Sequence, residues 1–184
     1  MGVSVSALVL TALLTAAPGA APGGAVPEGQ PAPAFKLRAR DGALVRLDER
    51  AYPGKEKSYA KKRPVLIDFF RTDCGPCRVS MPELVKLHAT WSARGLDVYL
   101  VALLEPEGGR AKLEAYLAEA KLPFPVLVDE TEHYAQKFLG SAVSLPATYL
   151  IDREGVVLRA KHGAKGSLSE HFEAALRTAT GATP

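Results

Sequence analysis

The chain has 184 residues, 47% of them hydrophobic, and its 23 Lys and Arg against 20 Asp and Glu leave a formal charge of only +3. That is one domain's worth of sequence, with enough apolar material for an ordinary core. So mild a charge, without basic residues interleaved with aromatics, gives no case for nucleic acid as a partner; a chain of this size needs no structural disulfide, which leaves its two cysteines for chemistry.

The first 29 residues differ from the rest. Residues 6–17 form an apolar run of signal-peptide length, too short to span a bilayer comfortably. Ala-, Pro- and Gly-rich sequence follows, with small residues for cleavage between 17 and 25. The run lacks flanking Lys or Arg, so an uncleaved anchor giving membrane association is the alternative to a cleaved leader. No cysteine lies in this stretch, which excludes lipid attachment through an N-terminal cysteine. Residues 1–29 are therefore read as signal peptide or N-terminal anchor plus linker, and residues 30–184 as the folded domain. The expected location is the periplasm or cell envelope. The cluster Lys55, Lys57, Lys61, Lys62 and Arg63 reads as a solvated loop; an acidic partner or anionic membrane surface is the other reading.

Residues 65–70, Val-Leu-Ile-Asp-Phe-Phe, make a continuous apolar run of strand length, as in a strand buried on both faces. Both cysteines follow, in Cys74-Gly75-Pro76-Cys77. Residues 77–94 read as a helix, with Met81, Leu84, Val85, Leu87, His88 and Trp91 near 3.6 spacing and Gly95 as the stop. Pro82 predicts a kink there. A second apolar strand is expected at 97–104, a helix at 110–120 and a short strand at 126–128. Asp129 and Glu132 have capping-box spacing before a helix ending at Gly140. Residues 147–152 and 156–160 read as a hairpin, and Ser167 with Glu170 as the capping box of a last helix over 168–178. Alternating strands and helices followed by a hairpin and a helix predict an α/β fold: a mixed sheet with helices on both faces.

The strand-turn-helix layout delivers Cys74 to a helix N-terminus, where backbone N–H groups and the positive end of the macrodipole favour a thiolate. Cys77, one turn deeper, is placed to resolve a mixed disulfide. A closed zinc site needs four ligands, and His88, His133, His162 and His171 show no paired ligand spacing. A bridge over so few residues would stabilise weakly. Thiol–disulfide exchange is the expected chemistry, with no metal, flavin or nucleotide cofactor.

Several segments resemble one family in order: Pro31-Ala32-Pro33-Ala34-Phe35, the CGPC run with Asp68 six residues before it and Pro82 eight after, Phe124-Pro125-Val126 with Asp129, and Ser144-Leu145-Pro146-Ala147-Thr148 followed by Glu154-Gly155. The chain resembles the thioredoxin superfamily, and within it the TlpA/ResA-like envelope thiol–disulfide oxidoreductases, whose fold carries an N-terminal extension. The resemblance implies that Cys74 attacks a disulfide in an exported client protein and that Cys77 resolves the intermediate. Asp68 would serve Cys77 in proton transfer. Glu105 would lie near the pair, an exposed loop carboxylate being the other reading. Gly75, Pro76, Leu145 and a cis Pro146 would face the substrate. A separate thiol–disulfide donor must restore the dithiol, and apocytochrome c or copper-site assembly proteins are the suggested clients.

Asp73 stands where similar proteins mostly carry tryptophan. Its carboxylate is expected to raise the Cys74 pKa and make the protein more reducing, with Arg71 offsetting it. Three other activities remain open. A disulfide-forming oxidant usually carries histidine between its cysteines. A peroxiredoxin-like peroxidase needs Pro-x-x-x-Thr-x-x-Cys, yet Thr72 is two residues from Cys74 and Asp68 takes the proline position. A copper carrier of this fold usually has CxxxC and a distal histidine, for which His162 has no clear match.

Overall fold

The computed structural model describes residues 24–50 and 62–181. The cleavage region at 17–23 and Lys55, Lys57 and Lys61 lie outside them. In chain order the elements are β1 (Lys36–Ala39), β2 (Leu44–Arg46), α1 (Leu47–Arg50), β3 (Val65–Phe70), α2 (Gly75–Trp91), β4 (Asp97–Leu103), α3 (Gly109–Ala120), β5 (Val126–Asp129), α4 (His133–Leu139), β6 (Ala147–Ile151), β7 (Val157–His162) and α5 (Leu168–Thr180). The strands form one sheet in the order β2-β1-β5-β4-β3-β6-β7. The pairs β3–β4 and β4–β5 are parallel; β6 runs antiparallel to β3, as β7 does to β6 and β1 to β5.

Every residue of β3 is buried, as its unbroken apolar run predicted. Alternation along the strand divides the core. Val65, Ile67 and Phe69 join Phe138 of α4, Tyr149 and the N-terminal Phe35 on one face. Leu66 and Phe70 join Cys77, Met81, Leu84, Leu113 and Phe172 on the other, beneath α2, α3 and α5. This is the expected mixed sheet covered on both faces, a thioredoxin-like arrangement with an N-terminal extension.

One local expectation is corrected. The Asp129–Glu132 capping box does not form. Glu132 takes φ +56° with no side-chain cap bond, and its carboxylate lies 3.6 Å from Arg71. Asp129 Oδ2 instead accepts the N–H groups of Tyr134 (2.9 Å) and Ala135 (2.8 Å). Residues just ahead of position 30 also touch the domain. Val26 is buried and its N–H donates to the Phe138 carbonyl (2.8 Å), while Glu28 accepts the Ala160 N–H at 3.0 Å. An apolar side chain and a carboxylate on the β7 edge bind what composition alone marked as linker.

Candidate active site

The site sits at the carboxyl ends of the parallel strands, where open α/β sheets place their reacting groups. Helix α2 starts at Gly75, earlier than periodicity suggested, because Cys74 itself is the N-cap: its Sγ accepts the Cys77 N–H at 3.2 Å. Pro76 costs nothing there, since first-turn N–H groups have no helical partner. The two sulfurs form a disulfide with Cα atoms 5.3 Å apart. Cys74 is half-buried, whereas Cys77 is fully buried, so a partner reaches Cys74 first. Gly75 and Pro76 are exposed beside it, and the Leu145–Pro146 bond is cis.

Asp68 lies on the Cys77 side of the sheet at 2% exposure. Loss of hydration pushes its carboxyl from 3.8 up to about 7, against the opposing effect of a hydrogen bond from Thr148. The Thr148 hydroxyl donates to Asp68 Oδ1 at 2.6 Å across the β3–β6 ladder, where the two residues are register partners. Sequence reasoning did not mark Thr148 as functional; the signal that could have found it is its position two residues after Pro146.

Glu105 lines a cleft with Thr72 and Asp73, just ahead of Cys74. Its carboxylate accepts from the Thr72 hydroxyl and from Lys112, and its side chain is 8% exposed. The hydrogen bonds from Lys112 and Thr72 hold its pKa below 4.5, so it stays charged. Glycine lets α3 start against the end of β4, since a Cβ on Gly109 would lie 3.1 Å from the Leu104 carbonyl carbon. The turn between β4 and α3 brings Glu105 onto Thr72 and Lys112.

Asp73 is exposed, and its Oδ1 lies 3.2 Å from Arg71 Nε, the offset expected from sequence. Arg78, just past Cys77, donates to the Thr72 carbonyl (3.1 Å) and stands over the Tyr116 ring. Thr72, Asp73, Arg78, Glu105, Lys112 and Tyr116 line a cleft of about 410 Å³ beside the pair. His162 Nε2 lies 3.4 Å from the Tyr149 hydroxyl, and Tyr149 belongs to the core opposite Cys77. The sheet therefore separates His162 from the sulfurs. Among the described residues no cluster of three or more His, Cys, Asp or Glu is arranged to hold a metal, and no helix is long and apolar enough to cross a membrane.

Comparison with known proteins agrees with this geometry. The model of the AhpC/TSA family matches residues 28–160. The thioredoxin-like protein YneN of Bacillus subtilis is 31% identical over 132 residues, 72% of this chain and 69% of YneN. The thiol-disulfide oxidoreductase ResA of Geobacillus thermodenitrificans is 28% identical over 151 residues, 81% of this chain and 78% of ResA. A crystal structure from Chlorobium tepidum, described as a thiol:disulfide interchange protein DsbE, shares 28% identity at a TM-score of 0.69, covering 85% of this chain and 99% of that one.

Proposed function

The chain belongs to the AhpC/TSA family and is a thiol–disulfide oxidoreductase; we propose that it works in the cell envelope as a reductant of exported proteins. The observation that carries this reading is the asymmetry of the pair: a reachable Cys74 capping α2, with Cys77 fully buried behind it. In the reduced protein the Cys74 thiolate, favoured by the Cys77 N–H and the helix end, attacks a client disulfide. Cys77 then gives its proton to Asp68 and displaces the client from Cys74. A carboxyl near neutrality exchanges protons readily at working pH. The Glu105 carboxylate, fixed by Thr72 and Lys112, borders the cleft where client residues next to the reacting cysteine would lie. A client strand would align along Leu145 and Pro146, mainly by main-chain hydrogen bonds.

The peroxidase reading is disfavoured by Thr72, whose hydroxyl is committed to Glu105. Export rests on the apolar run at 6–17 and on the likeness to ResA, which also suggests apocytochromes c or copper-site assembly proteins as clients. A signal peptide predicts that residues 1–29, fused to a reporter active only outside the cytoplasm, switch that reporter on. The reduction potential of the Cys74–Cys77 pair tests the direction of flux. A value below about −220 mV supports a reductant fed by a dedicated thiol donor, and a value near about −120 mV makes the protein a disulfide donor instead.

A further inference from the structure

A buried carboxylate that takes a proton in each turnover must return it to water, and Asp68, at 2% exposure, has no direct contact with bulk solvent. Its surroundings are mostly apolar. Leu66 and Phe70 flank it along β3, Leu100 is its register partner on β4, and Met81 and Leu84 belong to the same cluster. The ionisable groups near it are few. Cys77 comes from α2. Tyr116 comes from α3, its ring packed on Phe70 at 4.9 Å, but it opens into the cleft beside Thr72 and Arg78. Among the described residues, the hydrogen bond to the Asp68 side chain is the one from Thr148.

Thr148 has a second neighbour. With Ser80, Glu83, Pro146 and Lys161 it lines a separate cavity of about 30 Å³. That volume exceeds the roughly 10–15 Å³ a single water needs, and the lining offers more than the two polar partners that hold one. The far wall carries charge. Glu83 is anchored to the start of α5 through the Leu168 N–H (2.6 Å), and Lys161, register partner of Thr148, donates to the Gly163 carbonyl (3.1 Å).

We infer that the Thr148 hydroxyl and a water in this cavity relay the Asp68 proton to solvent past Glu83 and Lys161. The inference rests on the reading of Asp68 as proton acceptor for Cys77. In the release step the Cys77 thiol loses its proton to the Asp68 carboxylate, and its sulfur attacks Cys74 Sγ of the mixed disulfide. The Cys74–client S–S bond breaks as the Cys74–Cys77 bond forms. The client departs as a thiolate and takes a proton from solvent, reduced by two electrons while the dithiol is oxidised. Asp68 then gives its proton to the Thr148 oxygen as the Thr148 hydroxyl proton passes to the water and out. Thr148 touches no reacting atom; it is a positioning and relay residue.

The test mixes the reduced full chain rapidly with dithiobis(nitrobenzoate), an aromatic disulfide that releases one coloured thiolate when Cys74 attacks and a second when Cys77 resolves. Wild type, Thr148→Val, Thr148→Ser and Asp68→Asn are compared from pH 5 to 9. The first release should be unchanged within about twofold in the two Thr148 variants. At pH 6, where Asp68 starts protonated and must clear its proton before it can take that of Cys77, the second should slow at least about tenfold in Thr148→Val, a fraction of the 10²–10⁴ that general acid–base catalysis supplies, and at pH 9, where Asp68 is already ionised, by under about twofold. Its pH midpoint should shift, and Thr148→Ser, which keeps the hydroxyl, should restore the rate. If at pH 6 Thr148→Val resolves as fast as wild type while Asp68→Asn is slow, if Val is slowed equally at pH 6 and pH 9, or if Ser is as slow as Val, the relay is overturned and the Asp68 reading stands. If Asp68→Asn resolves at the wild-type rate, the Asp68 reading falls with it.

Discussion

Asp68→Asn in the oxidised protein should be more stable than wild type at high pH and close to it in mild acid. Burial raises the Asp68 carboxyl from 3.8 to about 7. An acid with a folded pKa above its unfolded one binds a proton more readily when folded, so stability is highest below the unfolded value and falls as pH rises through the folded one. The interval spans about three pH units, each worth about 1.4 kcal/mol, so ionising Asp68 costs the fold about 4 kcal/mol once complete. Asparagine has the shape of the neutral acid and accepts the same Thr148 hydrogen bond without the charge. The variant should therefore exceed wild type by only about 1 kcal/mol near pH 4.5 and by about 4 kcal/mol near pH 8.5, the latter worth roughly 10 °C in Tm for a chain of this size. Urea unfolding followed by the fluorescence of Trp91, the single tryptophan and 4% exposed, reads the difference. Subtracting the two proteins at each pH cancels every other titrating group. A variant-minus-wild-type difference that stays flat from pH 4.5 to 8.5 would refute the argument that a desolvated carboxylate ionises there.

Other perturbations read other parts of the structure. Cys77→Ser should leave Cys74 free to accumulate a mixed disulfide with a client, visible by mass spectrometry, whereas Cys74→Ser should form none because Cys77 is fully buried. Glu83→Gln removes the carboxylate that accepts from the Ser167 hydroxyl and the N–H groups of Leu168 and Ser169, which should cost about 1–2 kcal/mol in urea unfolding at pH 7. Burial works against the ionised Glu83, but those bonds and Lys161 outweigh it and hold its pKa below 4.5. That stabilisation is present above 4.5 and is lost as pH falls through the folded value, so the gap between variant and wild type should close in acid. Asp73→Asn should lower the Cys74 pKa and make the pair less reducing, by under about one pH unit because Arg71 already neutralises Asp73. Thiolate absorbance of the reduced protein against pH checks it, and an unchanged or raised pKa rules out the electrostatic role of Asp73.

Where a feature depends on neighbours in the chain, it is legible in the sequence alone. The apolar run of β3 predicts a strand buried on both faces, and CGPC after a short turn predicts a thiol at a helix end. The Ser167–Glu170 spacing predicts the cap of α5, where Ser167 Oγ accepts the Glu170 N–H at 3.3 Å. Backbone dihedrals and first-turn hydrogen bonds reach only a few residues, so local sequence suffices. The cis Pro146 comes from the family's motif, since an isolated X-Pro bond is cis in only about one case in twenty.

Tertiary packing decided the partners of each charged or polar group at the site. Asp68 is recognisable as an acid inside a core strand, but its hydroxyl donor lies 80 residues on. Glu105 could be exposed or inward until α3 docked against β4 and brought Lys112 and Thr72 to it. Arg71 faces Asp73 by proximity in sequence, yet also reaches Glu132 across the gap between two strand ends, a contact that spacing along the chain does not show. A hydrogen bond or an ion pair is decided by a few ångströms between side chains, and strand order sets those distances. Periodicity says which face a residue takes, whereas the sheet's crossovers say what stands opposite it.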